Sequence, residues 1–119
     1  MPEINDLNLG AAGIEWDKGG VRVNEFLQSV SIPAVYAAGD AAASGGSPLA
    51  PVASYEGLIV ATNLLKGNHE RANYLGIPSV LFTVPPLAAV GLSESGAREQ
   101  NLTFTVKKET TSTWYSSRG

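Results

Sequence analysis

The sequence contains no cysteine, and only 16% of its 119 residues are charged. The absence of cysteine excludes a disulfide framework, a thiolate metal site and a dithiol redox centre within this chain. No apolar run approaches the roughly 20 residues of a transmembrane helix, and Met1-Pro2-Glu3 does not begin a secretory signal peptide. A net charge of −3 supplies no basic field for nucleic acid or anionic membranes. We therefore expect a cytoplasmic protein with neither of these partners.

The residues that are present indicate a folded domain, because 44% of them are hydrophobic. Two short alternating segments flank Asp17-Lys18-Gly19-Gly20, which predicts a β-hairpin over residues 14–23. The unbroken apolar run at residues 34–38 predicts a strand covered on both faces, as in a parallel sheet. Residues 41–47 are small and glycine-rich, and they predict a loop.

A helix is predicted after this loop. Pro51 suits its first turn, and Gly67-Asn68 suits its end. The residues that recur at helical spacing, and are expected to form the buried face, are Val52, Tyr55, Leu58, Ile59, Thr62 and Leu65.

The last third of the chain follows a polar linker at residues 68–77. Strands are predicted at residues 79–83, 88–92 and 103–106, and Ser93 is expected to cap a helix that runs to Gln100. The predicted last strand has no partner after it. We therefore expect the chain to be a piece of a longer protein.

The most specific pattern is the segment from Ile32 to Asp40, in which an apolar run ends in Gly39-Asp40. A carboxylate there would lie at the carboxyl edge of a sheet, where open α/β folds bind ligands, and could accept hydrogen bonds from sugar or ribityl hydroxyls. By itself Gly-Asp also fits an ordinary turn after a strand. Residues 48–53 then open a helix, whose first amides lack partners and can stabilise an oxyanion or carbonyl.

This order of strand, Gly-Asp, glycine-rich loop and proline-started helix resembles the second FAD motif of the FAD-dependent pyridine nucleotide–disulfide oxidoreductases, such as glutathione reductase and dihydrolipoamide dehydrogenase. Residues 77–86 and 90–94 resemble that family's entry into its dimerisation domain. The resemblance covers nearly the whole chain. It implies the end of an FAD-binding doubly wound α/β domain at residues 1–67, a linker at 68–77, and an incomplete α+β dimerisation domain with an antiparallel sheet at 78–119.

The resemblance also implies roles for five cofactor-binding residues. Asp40 would hydrogen-bond the ribityl chain of the flavin, and Gly39 would let the backbone approach it. The amides around Leu49 and Ala50 would face the pyrimidine edge of the isoalloxazine and stabilise the negative charge of reduced flavin. Ala53 would leave room for the ring. Many relatives have threonine at the position of Ala50, so a hydroxyl contact is lost here while an amide contact is kept.

Three further positions receive no catalytic role. Phe82 is expected either near the flavin side of the interface or in a core. His69, the only histidine, is expected at the surface or at the end of the helix dipole. Trp114-Tyr115 is expected to pack in a core or an interface.

The rest of the family's reaction needs parts that this sequence lacks. It has no Gly-x-Gly-x-x-Gly for a pyrophosphate, no Cys-x4-Cys pair and no His-Pro-Thr base. The resemblance thus implies a parent enzyme that passes electrons from NAD(P)H through FAD to a disulfide or related acceptor. The segment alone is expected to bind no cofactor, to have no catalytic or metal-binding residue, and to be inactive.

Several alternatives stay open from the sequence. The acceptor could be glutathione, dihydrolipoamide, mercuric ion, another disulfide or oxygen, and the nicotinamide donor could be NADH or NADPH. A homodimer or larger homo-oligomer is expected, because the predicted strands lack partners. A stand-alone, non-catalytic interaction or dimerisation domain is the alternative function. A reading frame that continues upstream into the missing motifs would exclude it.

Overall fold

The computed structural model describes residues 2–110, so Trp114-Tyr115 lies outside the described residues. The chain divides into two compact units, with the boundary between Ile77 and Pro78. The assignment of these units to an FAD domain and a dimerisation domain stays a prediction. Among the described residues, no helix is both long and apolar enough to cross a membrane.

The first unit contains a small three-stranded sheet in the order β1-β2-β3. Strands β1 (Trp16–Asp17) and β2 (Gly20–Arg22) pair antiparallel, which confirms the predicted hairpin, although the strands are short. Strand β3 (Ala42–Ala43) pairs parallel with β2 inside the segment that was predicted as a loop. Gly20 has a φ of +127°, and a Cβ there would overlap the carbonyl oxygen of Ala41. Only glycine therefore lets β2 lie so close to the segment before β3.

The strand predicted at residues 34–38 is wrong. Tyr36 makes only an isolated antiparallel bridge to Gln28. The neighbouring backbone bonds, from Ser29 to Val35 and from Ala37 to Leu27, are also antiparallel in sense. The partner segment cannot continue a regular ladder because Leu27 has a φ of +62°, in the left-handed region. The apolar run is therefore tied to a curled segment instead of lying in a parallel sheet.

Helix α1 (Ala50–Lys66) confirms the predicted helix and its end signals, since Pro51 lies in the first turn and Gly67 follows the last residue. The predicted buried face is partly wrong. Tyr55, Leu58 and Leu65 are exposed. The buried residues of the helix are Val52, Glu56, Ile59 and Asn63. The prediction omitted Glu56 and Asn63, two polar side chains that share the buried face of Val52 and Ile59. The core of this unit is formed by Ile4, Val21, Leu27, Ala42, Val52 and Ile59.

The second unit begins with an antiparallel hairpin of β4 (Pro78–Leu81) and β5 (Leu87–Val90), close to two of the predicted strands. Helix α2 (Glu94–Glu99) follows, and the Ser93 hydroxyl accepts the Gly96 N–H at 3.1 Å, as predicted for a cap. The strand predicted at residues 103–106 is wrong. These residues fold back along α2, where the Arg98 guanidinium lies 5.5 Å from the centre of the Phe104 ring. No strand among the described residues lies beside them to form a ladder.

Candidate functional site

The Gly-Asp corner lies where the extended segment turns into a single turn of 3-10 helix, Gly39–Ala41. Gly39 has a φ of +62°, a backbone conformation that side chains other than glycine rarely adopt. A Cβ on Gly39 would lie 2.9 Å from the methyl group of Ala53 in the first turns of α1. Two of the residues that the sequence proposes for one site are therefore in direct contact.

The corner is fixed to α1 by the side chain of Glu56, which is only 1% exposed. One oxygen of its carboxyl group, Oε2, accepts the Gly39 N–H at 2.6 Å. The other, Oε1, accepts the hydroxyls of Ser44 and Tyr74, each at 2.6 Å. A buried acidic group is costly unless its oxygens are hydrogen-bonded, and here both are.

Tyr74 completes this arrangement from the segment that follows α1. Burial disfavours the phenolate and, together with the hydrogen bond to Glu56, raises the pKa of Tyr74 to about 12. The phenol is therefore a hydrogen-bond donor throughout the physiological pH range. The same ring covers the glycine-rich loop, because a Cβ on Gly45 would lie 3.4 Å from its Cδ2 atom.

Asp40 is exposed, and its carboxylate has no hydrogen-bond partner among the described residues. It lines a cavity of about 440 Å³ whose walls also include Lys18, Gly39, Ser44, Ser47 and Glu56. A free carboxylate at the edge of a cavity can accept hydrogen bonds from a hydroxylated ligand.

The start of α1 contributes less than the sequence suggests. Leu49 is the N-cap, and its N–H already donates to the carbonyl oxygen of Ser47 at 2.8 Å. Ala50 is exposed, and its N–H has no acceptor among the described residues. Leu49, Ala50 and Ala53 do not line the cavity. The structure therefore brings Ala53 into contact with Gly39, the residue before Asp40, and places Leu49 and Ala50 one helical turn from Ala53.

Sequence reasoning missed Glu56, Ser44 and Tyr74. A signal for Glu56 was present, since it lies four residues after Val52 and three before Ile59, and so shares their face. No comparable signal identified Tyr74, whose hydroxyl reaches Glu56 across 18 residues of sequence.

Sequence analysis also singled out His69, which belongs to the first unit, and Phe82, which belongs to the second. His69 follows the end of α1, its ring is half-exposed, and Nδ1 lies 2.8 Å from the Gly67 carbonyl oxygen, which confirms the expected surface position. Phe82 is 94% exposed, so it is not a core residue of this chain. The described residues contain no cluster of three acidic or histidine side chains that could hold a metal ion.

Comparison with known proteins shows which family this chain resembles. The profile of the family described as pyridine nucleotide-disulphide oxidoreductase matches residues 2–57. Dihydrolipoyl dehydrogenase from Bacillus subtilis is 38% identical over 107 residues, 90% of this chain and 22% of that protein. Mercuric reductase from Lysinibacillus sphaericus is 39% identical over 100 residues, 83% of this chain and 18% of the reductase. Residues 2–57 of this chain, just under half of it, thus match the pyridine nucleotide–disulphide oxidoreductase family.

Two further proteins are similar to this chain. The structure of the Escherichia coli flavoprotein disulfide reductase RclA, in its Cu(II) complex, matches with a TM-score of 0.68 and 29% identity over 82% of this chain and 22% of RclA. A Staphylococcus aureus protein of 19.7 kDa, described as uncharacterized and encoded in a mercuric resistance operon, is 53% identical over 92% of this chain and 61% of its own length. The chain thus spans about three fifths of that relative and about a fifth of the named reductases.

The extent of the family match bears directly on the candidate site. The matched residues 2–57 include all five candidate cofactor-binding residues and Glu56, but not Tyr74. The named relatives are oxidoreductases, so the comparisons do not favour the alternative of a stand-alone interaction domain.

Proposed function

We propose that this chain forms one wall of the flavin site of an FAD-dependent oxidoreductase that passes electrons from NAD(P)H through FAD to a disulfide or related acceptor. The observation that carries the proposal is the Gly39-Asp40 corner. Its backbone is hydrogen-bonded to Glu56 of α1, and the Asp40 carboxylate lines a cavity with no hydrogen-bond partner among the described residues. FAD supplies the two-electron chemistry when bound, and this chain supplies part of its binding surface.

The residues of the corner fit a flavin carrying a ribityl chain. Asp40 offers free acceptor oxygens to the ribityl hydroxyls. The Ala50 N–H is available to a flavin carbonyl, whereas the Leu49 N–H is engaged by Ser47. Ala53 serves the site through Gly39, because its small side chain accommodates the close approach of the corner.

The chain by itself does not provide a complete site. It carries no Gly-x-Gly-x-x-Gly loop for the pyrophosphate and no cysteine to accept electrons. We therefore expect neither FAD binding nor activity from this segment alone, a homodimer or larger homo-oligomer as its assembly, and the cytoplasm as its location. The electron acceptor and the choice between NADH and NADPH depend on residues elsewhere in such an enzyme.

A chimeric enzyme tests the proposal. Residues 2–110 of this chain would replace the matching region of the Bacillus subtilis dihydrolipoyl dehydrogenase, and FAD affinity would be measured by titration of the apoprotein. The chimera should bind FAD. Asp40→Ala should weaken binding by about 1.5–3 kcal/mol, because a charged hydrogen-bond acceptor is lost.

Asp6→Ala is the matched control, since Asp6 is also an exposed aspartate of the first unit. It should leave FAD affinity unchanged. A folded chimera that binds no FAD would contradict the proposed function. Equal affinity in the Asp40→Ala and Asp6→Ala chimeras would contradict the role of Asp40.

A further inference from the structure

Glu56 joins three segments that are separate in sequence. Its carboxyl group accepts the Gly39 N–H of the corner, the hydroxyl of Ser44 in the glycine-rich loop and the hydroxyl of Tyr74 beyond α1. The Ser44 hydroxyl oxygen in turn accepts the Gly46 N–H at 3.2 Å. One buried side chain therefore fixes both the corner and the loop that leads from it to α1.

The loop is packed too tightly around this group for the contacts to be incidental. A Cβ on Gly46 would lie 2.8 Å from Glu56 Oε1 and 2.8 Å from the Tyr74 ring atom Cε1. A leucine at position 56 would match the apolar neighbours Val52 and Ile59, but would leave the Gly39 N–H without its acceptor. A polar residue at position 56 is therefore needed to accept the hydrogen bond from the Gly39 N–H.

The Tyr74 hydroxyl also donates a hydrogen bond to the Glu56 carboxyl group. Tyr74 lies outside residues 2–57, the region that the family profile matches. Its ring lies against Gly45 and Gly46, and its hydroxyl donates to the same oxygen as Ser44. If Tyr74 lost its hydroxyl, Glu56 Oε1 would keep one partner only, and its side chain would be less constrained.

We propose that Glu56 is the positioning residue of the Gly39-Asp40 corner and that Tyr74 is the group through which the segment after α1 holds Glu56 in place. What the corner binds rests on the proposed function. The positioning itself does not, because the contacts are complete within this chain. A residue outside the matched region would thus contribute to the geometry of the candidate cofactor site.

The positioning roles of Glu56 and Tyr74 can be tested without any flavin. The experiment measures amide hydrogen exchange of the 119-residue chain, residue by residue, by NMR. Tyr74→Phe should speed exchange at Gly39 and Gly46 about three- to tenfold, the effect of one lost hydrogen bond. Exchange at Arg22 and Val30, whose N–H groups bond within the β2 region, should stay unchanged. A merely structural role would instead raise exchange throughout the unit.

Tyr55→Phe is the matched control. The Tyr55 hydroxyl accepts the Asn73 N–H at 2.9 Å, so this variant also loses a bond between α1 and the segment after it, but not one to Glu56. It should leave exchange at Gly39 unchanged. Equal acceleration in the two tyrosine variants would overturn the proposal, because the effect would then not pass through Glu56.

Position 56 provides a second comparison. Glu56→Ala should speed exchange at Gly39 about a hundredfold or more. Glu56→Gln should restore most of the protection, because its amide oxygen can accept the Gly39 N–H while its NH2 group donates to the two hydroxyls. If Glu56→Ala does not fold, the positioning role is tested with three other variants, Tyr74→Phe, Tyr55→Phe and Glu56→Gln. Unchanged exchange at Gly39 in Tyr74→Phe, or no protection in a folded Glu56→Gln, would refute the positioning role and leave the proposed function untouched.

Discussion

Gly39 and Ala53 are in such close contact that a Cβ on Gly39 would lie 2.9 Å from the Ala53 methyl group. The contact joins the Gly-Asp corner to the beginning of α1, and it is possible only because Gly39 has no side chain and Ala53 has a small one. The orientation of the Asp40 carboxylate relative to the helix therefore depends on two small residues that carry no reactive group.

Gly39→Ala should destabilise the chain by about 2–4 kcal/mol. The substitution places a side chain in a left-handed conformation, which costs about 1–2 kcal/mol, and forces an overlap with Ala53 that costs a similar amount. Urea denaturation followed by circular dichroism measures the change. Adding Ala53→Gly should restore the stability lost through the overlap with Ala53, but not the stability lost through the left-handed backbone conformation.

Gly57→Ala is the control for this experiment. Gly57 lies in α1, and a Cβ there would meet nothing within 4 Å apart from the helix's own backbone. The alanine should stabilise the chain by about 0.5–1 kcal/mol. Equal effects of the two glycine substitutions would show that the Gly39–Ala53 contact is not tight.

Asn63→Ala should destabilise the first unit by about 2–4 kcal/mol. The buried amide donates to the carbonyl oxygens of Phe26 and Glu70 and accepts the N–H groups of His69 and Glu70. Removing it leaves these groups without partners. Thermal or urea unfolding measures the loss, and Thr62→Ala, at the adjacent half-buried position, should change stability by no more than about 0.5 kcal/mol.

Stability should fall in alkaline solution as Tyr74 ionises. The pKa of this phenol rises from 10.0 to about 12 on folding, because burial and the hydrogen bond to Glu56 favour the protonated form. The stabilisation from Tyr74 is therefore fully present below pH 10 and is lost as the pH rises to about 12. Urea midpoints at pH 9 to 12 should fall less steeply in Tyr74→Phe than in the unmodified chain; identical slopes would contradict the assignment.

The purified 119-residue chain should be colourless. The missing pyrophosphate loop removes the part of the site that binds the anionic centre of FAD. Absorbance between 350 and 500 nm after incubation with FAD and gel filtration checks this. Stoichiometric yellow flavin on the chain would show that the corner and cavity suffice for binding.

The chain should form a homodimer or a larger assembly in dilute solution. Both strands of the β4–β5 hairpin are exposed along their length, and each has an edge without a partner among the described residues. Light scattering measures the mass. Val80→Lys should shift the assembly toward monomer, whereas Leu75→Lys, at an exposed leucine of the first unit, should not. A monomer of the unmodified chain would contradict the expectation.

The sequence determined the features whose cause is local. Pro51 and Gly67 bound α1, Ser93 caps α2, and Lys18-Gly19 forms the turn of the hairpin, because each depends on the residue's own dihedral preferences or on amides a few residues away. The Gly39-Asp40 motif and its order before a proline-started helix were likewise sufficient to predict the family whose profile matches residues 2–57.

Only the tertiary structure decided which extended segments became strands and which polar groups became buried. Residues 34–38 and 103–106 have strand-like sequences, but a strand also needs a neighbour that can continue its hydrogen-bond ladder, and no local signal supplies one. Glu56 and Tyr74 meet across a distance in sequence that periodicity does not reach. They are in contact because the folded chain buries the Glu56 carboxyl group beside the hydroxyls of Ser44 and Tyr74, and these buried polar groups then hydrogen-bond to one another.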